Sequence, residues 1–278
     1  MTSDNLLALK GITKEYKEFR LGPLDLSVPR GYVMGLVGAN GAGKTTAIKI
    51  ALGAVLPGNG SAHLIDKTRV GVVLDQPCWQ ATWRVRDLSR LLGPFYPGWD
   101  QRVFDELCEW AGVSQRLKVR EFSRGMGMKV QVAVALAHRA ELLVLDEPTS
   151  GLDPLARSEL LDKLSEFMTD ERHSVLFSTH ITTDLDRIAD LVTILDAGRV
   201  IASGARDDLL EAWAMVRGGA ADLTGELRAR IRGLRQHSAG WEGLIAAADL
   251  GLCGTGVVAD TPSVEDLLVH LTKERKDA

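Results

Sequence analysis

The sequence predicts an α/β fold in which a mostly parallel sheet carries helices on both faces. Three observations support this. Short apolar runs alternate with helical stretches in β-α-β order, a glycine-rich turn joins one such run to a helix, and another apolar run ends in two carboxylates. A chain of 278 residues can bury one large core with an appendage, whereas two full α/β domains would be tight.

Residues 6–12 and 24–28 alternate apolar and polar positions on either side of Lys14-Glu15-Tyr16-Lys17-Glu18, and read as antiparallel strands. Residues 32–37 (YVMGLV) form a continuous apolar run that enters the turn directly. Residues 44–56 then place Ile48, Leu52 and Val55 at helical spacing, giving strand, loop and helix. VGVVL at 70–74 reads as a further strand, and residues 84–140 carry helical patterns broken by Gly93-Pro94, Pro97-Gly98 and Gly125. A strand over 142–145, a helix over 154–168 and a strand over 174–178 follow, then a hairpin from 191–195 to 200–202 through Asp196-Ala197-Gly198. Composition shifts near Ser203-Gly204, so residues 204–278 are expected to form a small α/β appendage with a helix after Thr261-Pro262-Ser263.

Hydrophobic residues at 45% and charged residues at 25% exclude disorder and repeat composition. The longest stretch without Asp, Glu, Lys or Arg is the 16 residues 50–65, interrupted by Pro57-Gly58-Asn59-Gly60. A bilayer crossing takes about 20 apolar residues, so no direct bilayer insertion is expected. The segment MTSDNLLALKG lacks both a basic and an apolar signal region, which places the chain in the cytoplasm as an expectation. A net charge of -4 and a pI near 5.9 give no overall pull toward nucleic acid, and none is expected as a partner. Cys78, Cys108 and Cys253 match no zinc spacing and read as reduced, partly buried thiols. Glycine, at 28 residues, is the one compositional excess.

Those glycines lead to the chemistry. Gly38-Ala39-Asn40-Gly41-Ala42-Gly43-Lys44-Thr45-Thr46 fits GxxxxGK[ST] between a strand and a helix, the context that the pattern requires. Glycines let successive N–H groups converge on one point, where the helix dipole adds positive potential, so the loop is expected to bind polyphosphate. Lys44 would reach the β and γ phosphates, and the Thr45 hydroxyl would coordinate Mg²⁺. The run Leu142-Leu143-Val144-Leu145-Asp146-Glu147 places two carboxylates at the strand end where α/β folds bind ligands. Asp146 would hold Mg²⁺ and Glu147 would polarise an attacking water. Adjacent strand residues point to opposite sides, so the two are expected to differ in role.

FSRGMGMKVQVAVALAHRAELLVLDEPTSGLD at 122–153, taken with GANGAGKTT and Ser178-Thr179-His180, resembles the ordered motifs of ATP-binding cassette (ABC) proteins. The similarity covers about residues 5–203, and its style is that of single-cassette ATPases of the ABC-2 exporter type. It implies a P-loop NTPase cassette with a mostly parallel core sheet, an antiparallel β subdomain and a helical subdomain near 77–140. The cassette spans residues 1–203, followed by the appendage at 204–278. It also implies ATP and Mg²⁺ as cofactors, a second cassette as dimer partner, and a separate membrane-spanning permease that holds the chain on the inner face of the cell membrane.

The resemblance further implies that Ser123 and Gly125, ahead of a helix starting near Gly127, contact the γ phosphate held by the partner cassette. Tyr16, 28 residues before Lys44, would stack on adenine. Asp153 would cross the dimer interface and also cap the helix at Pro154. His180 would act as the switch histidine that contacts the γ phosphate and holds the catalytic geometry, with Lys44 and Glu147 as the other catalytic residues.

Three positions depart from the family pattern. Phe122-Ser123-Arg124-Gly125-Met126 stands where the pattern is LSGGQ, which puts Arg124 in place of Gly and Met126 in place of Gln. The loop that normally supplies a Gln to the metal reads Val73-Leu74-Asp75-Gln76-Pro77, so either Asp75 or Gln76 could serve. Ala39 replaces a common Pro. Seven of the fifteen aromatics, from Trp79 to Trp110, lie within 32 residues, either lining a groove for the permease or forming the core of the helical subdomain. The expected function is ATP hydrolysis that drives a permease, with export as the direction that the resemblance implies. The alternatives are a soluble ABC-type ATPase acting on DNA or ribosomes, and a regulatory module without turnover. Only 79 residues separate Lys44 from Ser123, which leaves no room for the long coiled coil of DNA-repair cassettes.

Overall fold

The computed structural model describes residues 4–277; Met1, Thr2 and Ser3 of the N-terminal segment lie outside the described residues. The chain opens with β1 (Asn5–Glu15), β2 (Arg20–Pro29), β3 (Val33–Val37), α1 (Lys44–Ala51), β4 (Asn59–Leu64) and β5 (Val70–Val73). Helices α2 (Val85–Leu92), α3 (Gln101–Trp110) and α4 (Arg124–Ala137) follow, then β6 (Leu142–Asp146), α5 (Pro154–Phe167), β7 (Ser174–Thr179), α6 (Thr182–Ile188), β8 (Leu191–Asp196) and β9 (Arg199–Ala205). The last part holds α7 (Arg206–Glu211), β10 (Trp213–Gly218), α8 (Gly225–Arg230), β11 (Arg232–His237), β12 (Gly240–Ala246), β13 (Val258–Asp260) and α9 (Val264–Asp277).

The central sheet has the order β5-β6-β7-β3-β8-β9, with β5, β6, β7, β3 and β8 parallel and β9 returning antiparallel to β8. Alternate residues of these strands serve different cores, as the two-residue period requires. Val33, Leu143, Leu145, Val175 and Phe177 pack with Met128 and Val132 of α4 and Leu160, Leu161 and Leu164 of α5. Met34, Leu36, Val144 and Leu176 pack with Ile48 of α1 and with the apolar face of β1 and β2. Both layers therefore hold β3, β6 and β7 rigidly, so their C-terminal ends form a fixed platform.

Several boundaries differ from the sequence expectation. The helix expected over 44–56 stops at Ala51, where Leu52 caps it and Gly53 turns left-handed at φ 73°. β4 (NGSAHL) shows no apolar alternation; its antiparallel pairing with β1 makes it the edge of a three-stranded sheet β2-β1-β4. Helix α4 starts at Arg124 instead of near Gly127, because the Ser123 hydroxyl accepts the Met126 N–H at 3.2 Å and caps it three residues earlier. Such a cap contributes about 1 kcal/mol. Helix α6 has only seven residues, too short for its period to show in the sequence.

Helices α2, α3 and α4 enclose their own apolar cluster of Val85, Leu88, Phe104, Leu107 and Val130. Trp79, Trp83, Trp99 and Trp110 pack against it half-buried, whereas Phe95, at 74% exposure, and Tyr96, which stacks on His138, lie outside it. The aromatic run thus mainly builds the helical subdomain core. Residues 213–260 make a four-stranded antiparallel sheet, β11-β12-β10-β13, around Val216, Trp241 and Ile245. Met215, Leu244, Val264 and Leu267 of this part join the core cluster under the central sheet, so it packs directly on the cassette.

His138 caps the C-terminal end of α4 at 3% exposure, with its ring stacked on Tyr96 at 4.1 Å. Its Nδ1 has no hydrogen-bond partner among the described residues, and burial pushes the imidazole down to about 4. Between that value and the unfolded value of about 6.5, the unfolded chain binds the extra proton, so stability rises with pH across this window. Acidifying from pH 6.5 toward 4 should cost up to about 3 kcal/mol through this residue. Urea unfolding as a function of pH should show a steeper acid loss in the wild type than in His138→Phe; parallel curves would contradict the assignment.

Candidate functional site

Strands β6, β7 and β3 are neighbours, and their C-terminal ends bring three loops together. Val37 pairs with Thr179 and Asp146 pairs with Ser178, so residues 38–46, Asp146-Glu147 and His180 emerge side by side. Gly43 caps α1 at φ 110°, and a Cβ there would come within 2.9 Å of the Phe19 and Leu21 side chains. Only glycine fits that turn. No acidic residue occupies the first turn of α1, so its dipole is unopposed at the loop.

Lys44 is 5% exposed. Its Nζ donates to the Gly38 carbonyl at 2.6 Å and the Ala39 carbonyl at 3.3 Å, and lies 3.0 Å from Glu147 Oε1. The Thr45 hydroxyl donates to Asp146 Oδ2 at 2.7 Å, and the Ser178 hydroxyl donates to Oδ1 at 3.1 Å. Glu147 Oε2 accepts the His180 backbone N–H at 3.2 Å and lies 2.7 Å from His180 Nδ1. One carboxylate thus joins the lysine of the loop to the histidine beyond β7.

The expectation that Asp146 and Glu147 point to opposite sides is corrected. The strand ends at Asp146, and Glu147 adopts φ 54°, with its N–H donating to the Ser178 carbonyl at 2.9 Å. This left-handed turn brings Glu147 round to the side that Asp146 faces, so both carboxylates meet residues of the phosphate loop. A non-glycine residue held there costs about 1 kcal/mol or more, a strain that clusters at working sites.

A cavity of about 380 Å³ is lined by Phe19, Asn40, Gly41, Ala42, Gly43, Lys44, Thr45, Thr46 and Glu147. Phe19 was not foreseen, since nothing in the spacing of a lone aromatic before β2 marks it. Tyr16 sits just past β1, 48% exposed and with its ring 6.4 Å from that of Phe19; it does not line this cavity. Ser123, Gly125 and Asp153 are also outside the cavity wall, at the N-terminal ends of α4 and α5. Asp153 Oδ1 accepts the Leu155 and Ala156 N–H groups at 3.0 Å each, so it caps α5 as expected. Asp75 and Gln76 follow β5, both exposed.

Two supporting contacts had no sequence signal. Buried Gln131 of α4 pairs both ends of its amide with the Leu74 backbone, at 2.9 and 3.0 Å, and fixes the chain just before Asp75. Fully buried Asp184 of α6 accepts from the Thr149 hydroxyl and from Arg157 Nε at 2.6 Å, bracing the loop after β6.

An ammonium, a curled backbone and a helix N-terminus suit a polyphosphate. A hydroxyl beside a carboxylate is the hard oxygen donor set that Mg²⁺ takes. Among the described residues no group of three or more His, Cys, Asp or Glu could hold a metal ion, so such an ion would depend on oxygens of the bound phosphates as well.

The ABC transporter family model matches residues 21–150. A Nod factor export ATP-binding protein I of Cupriavidus pinatubonensis is 34% identical over 223 residues, which cover 74% of this chain and 68% of that protein. The chain belongs to the ABC transporter ATP-binding proteins. A daunorubicin resistance ATP-binding protein of Streptomyces coeruleorubidus is 33% identical over 74% of this chain and 70% of its own length. The solved structure of an ATP-binding subunit of an ABC transporter superposes with TM-score 0.64 at 29% identity, over 73% of this chain and 91% of that one. The cassette is accordingly an ATPase of transport, with the P-loop ABC fold. No helix among the described residues is long and apolar enough to cross a membrane.

Lys44→Ala should weaken ATP binding about 10- to 100-fold, the weight of a charged hydrogen bond to phosphate. Titration with a fluorescent ATP analogue measures this, and an unchanged Kd would remove Lys44 from the binding site.

Proposed function

We propose that this cassette pairs head to tail with a second one around two MgATP, and that hydrolysis drives a separate membrane-spanning permease in the direction of export. The observation that carries the proposal is Glu147 set between Lys44 and His180. The exposure of Ser123 and Asp153, both outside the cavity of their own chain, supports a role for them across a dimer interface. The relative named for Nod factor export supports the direction. The place of work is the inner face of the cell membrane, through the permease.

In this mechanism the N–H groups of residues 38–46 and the Lys44 ammonium hold the β and γ phosphates. Thr45 and Asp146 would hold Mg²⁺, which when bound offsets phosphate charge, with Gln76 a further candidate ligand. Glu147 accepts a proton from water as its oxygen attacks the γ phosphorus, while the bond to the β–γ bridging oxygen breaks to give ADP and phosphate. His180 fixes Glu147 at Oε2 during this step. Ser123 and Gly125 would complete the site of the partner cassette, and Tyr16, with Phe19 beside it, would flank the base.

Glu147→Gln should keep ATP affinity within about threefold and lower turnover by about 10²- to 10⁴-fold, the usual contribution of a general base. Size-exclusion chromatography with ATP should then show an accumulated dimer. Turnover at the wild-type rate would contradict the role of Glu147.

A further inference from the structure

Two departures from the cassette pattern lie in contact. Arg124 stands where the pattern has Gly, and Asp75 is one of the two residues, with Gln76, that stand where it has Gln. In the fold, Arg124 Nη2 forms an ion pair with Asp75 Oδ1, and Arg124 Nε donates to the Ser150 carbonyl. A Cβ on Gly151 would lie 3.0 Å from Arg124 Nε and 3.1 Å from Cδ, so the loop after β6 is moulded on this side chain. The Ser150 N–H in turn donates to the Glu147 carbonyl at 3.3 Å. On the other side, Gln131 of the same helix pins Leu74, one residue before Asp75.

An isolated ion pair at 38% and 50% exposure is worth little. Here the planar guanidinium engages two loops at once, a geometry that lysine cannot reproduce. We propose that Arg124 is a positioning residue: it ties the loop after β5 to the loop that carries Glu147 and Asp153, and Asp75 and Arg124 form a mutually compensating pair. Asp75 is thereby committed to Arg124, which leaves Gln76 as the member of its loop available to a metal. The inference rests on the ATPase reading above.

The test uses the full chain with Arg124→Gln, Asp75→Asn and the double variant. Amide hydrogen exchange without added nucleotide should speed up in Arg124→Gln at residues 74–76 and also at 150–152. In ATP turnover each single variant should lose about fivefold in kcat with KM within about twofold, and the double variant should lose no more than either single. Melting temperatures should stay within about 3 °C of wild type, since both side chains are more than a third exposed and their ion pair is worth little. Unchanged exchange at 150–152, or single effects that multiply in the double variant, would overturn the coupling. A wild-type chain without ATP turnover would instead refute the function, and the exchange result would still decide the coupling.

Discussion

The site depends on one buried cation and on how its three donors are used. Lys44 is taken almost wholly out of water, and a lysine ammonium has three N–H groups to satisfy. Two point to the Gly38 and Ala39 carbonyls and the third toward Glu147. Each partner comes from a different constraint. The carbonyls require the curled loop, the loop requires β3 to end there, and Glu147 reaches it only because β6 lies one strand away across β7. The left-handed backbone at Glu147 is then stabilised by Ser178 and by the brace of Thr149 and Arg157 on Asp184. Under the proposed mechanism a phosphate oxygen takes the place of Glu147 at Lys44, and the freed carboxylate stays on His180.

Residues whose chemistry follows from local spacing were legible in the sequence. The phosphate loop is one contiguous strand-turn-helix, and Asp146-Glu147 ends an apolar strand, so neither needs the tertiary fold to be recognised. The adjacency of Asp146 and Thr45, and of Glu147 and Lys44, spans about a hundred residues and rests on strand order, which alternation does not encode. The direction of Glu147 departs from strand alternation because the strand ends at Asp146 and the next residue turns left-handed. Phe19, Gln131 and Asp184 act through packing between elements distant in sequence, and none sits in a pattern of its own.

The same limit explains the edges of the fold. Strand β4 is held by its backbone pairing with β1, and its side chains are mostly exposed, so no periodic signal accompanies it. The appendage shows the reverse: its helix at 264–277 was readable, but Val264 and Leu267 had no visible partner until the central sheet supplied one. Arg124 and Asp75 each looked like a local loss of a family residue, and only the fold brings the two together. The loops after β5 and β6 and the start of α4 are thereby joined, which gives the proposed dimer contacts a physical route to Glu147.

The most direct measurement is a crystal structure of the wild-type chain with Mg²⁺ and a non-hydrolysable ATP analogue. The expected result is Lys44 Nζ within about 3 Å of phosphate oxygens and beyond the roughly 4 Å ion-pair limit from Glu147, with Glu147 still on His180. A phosphate chain held elsewhere, with the contact between Lys44 and Glu147 intact, would contradict the mechanism.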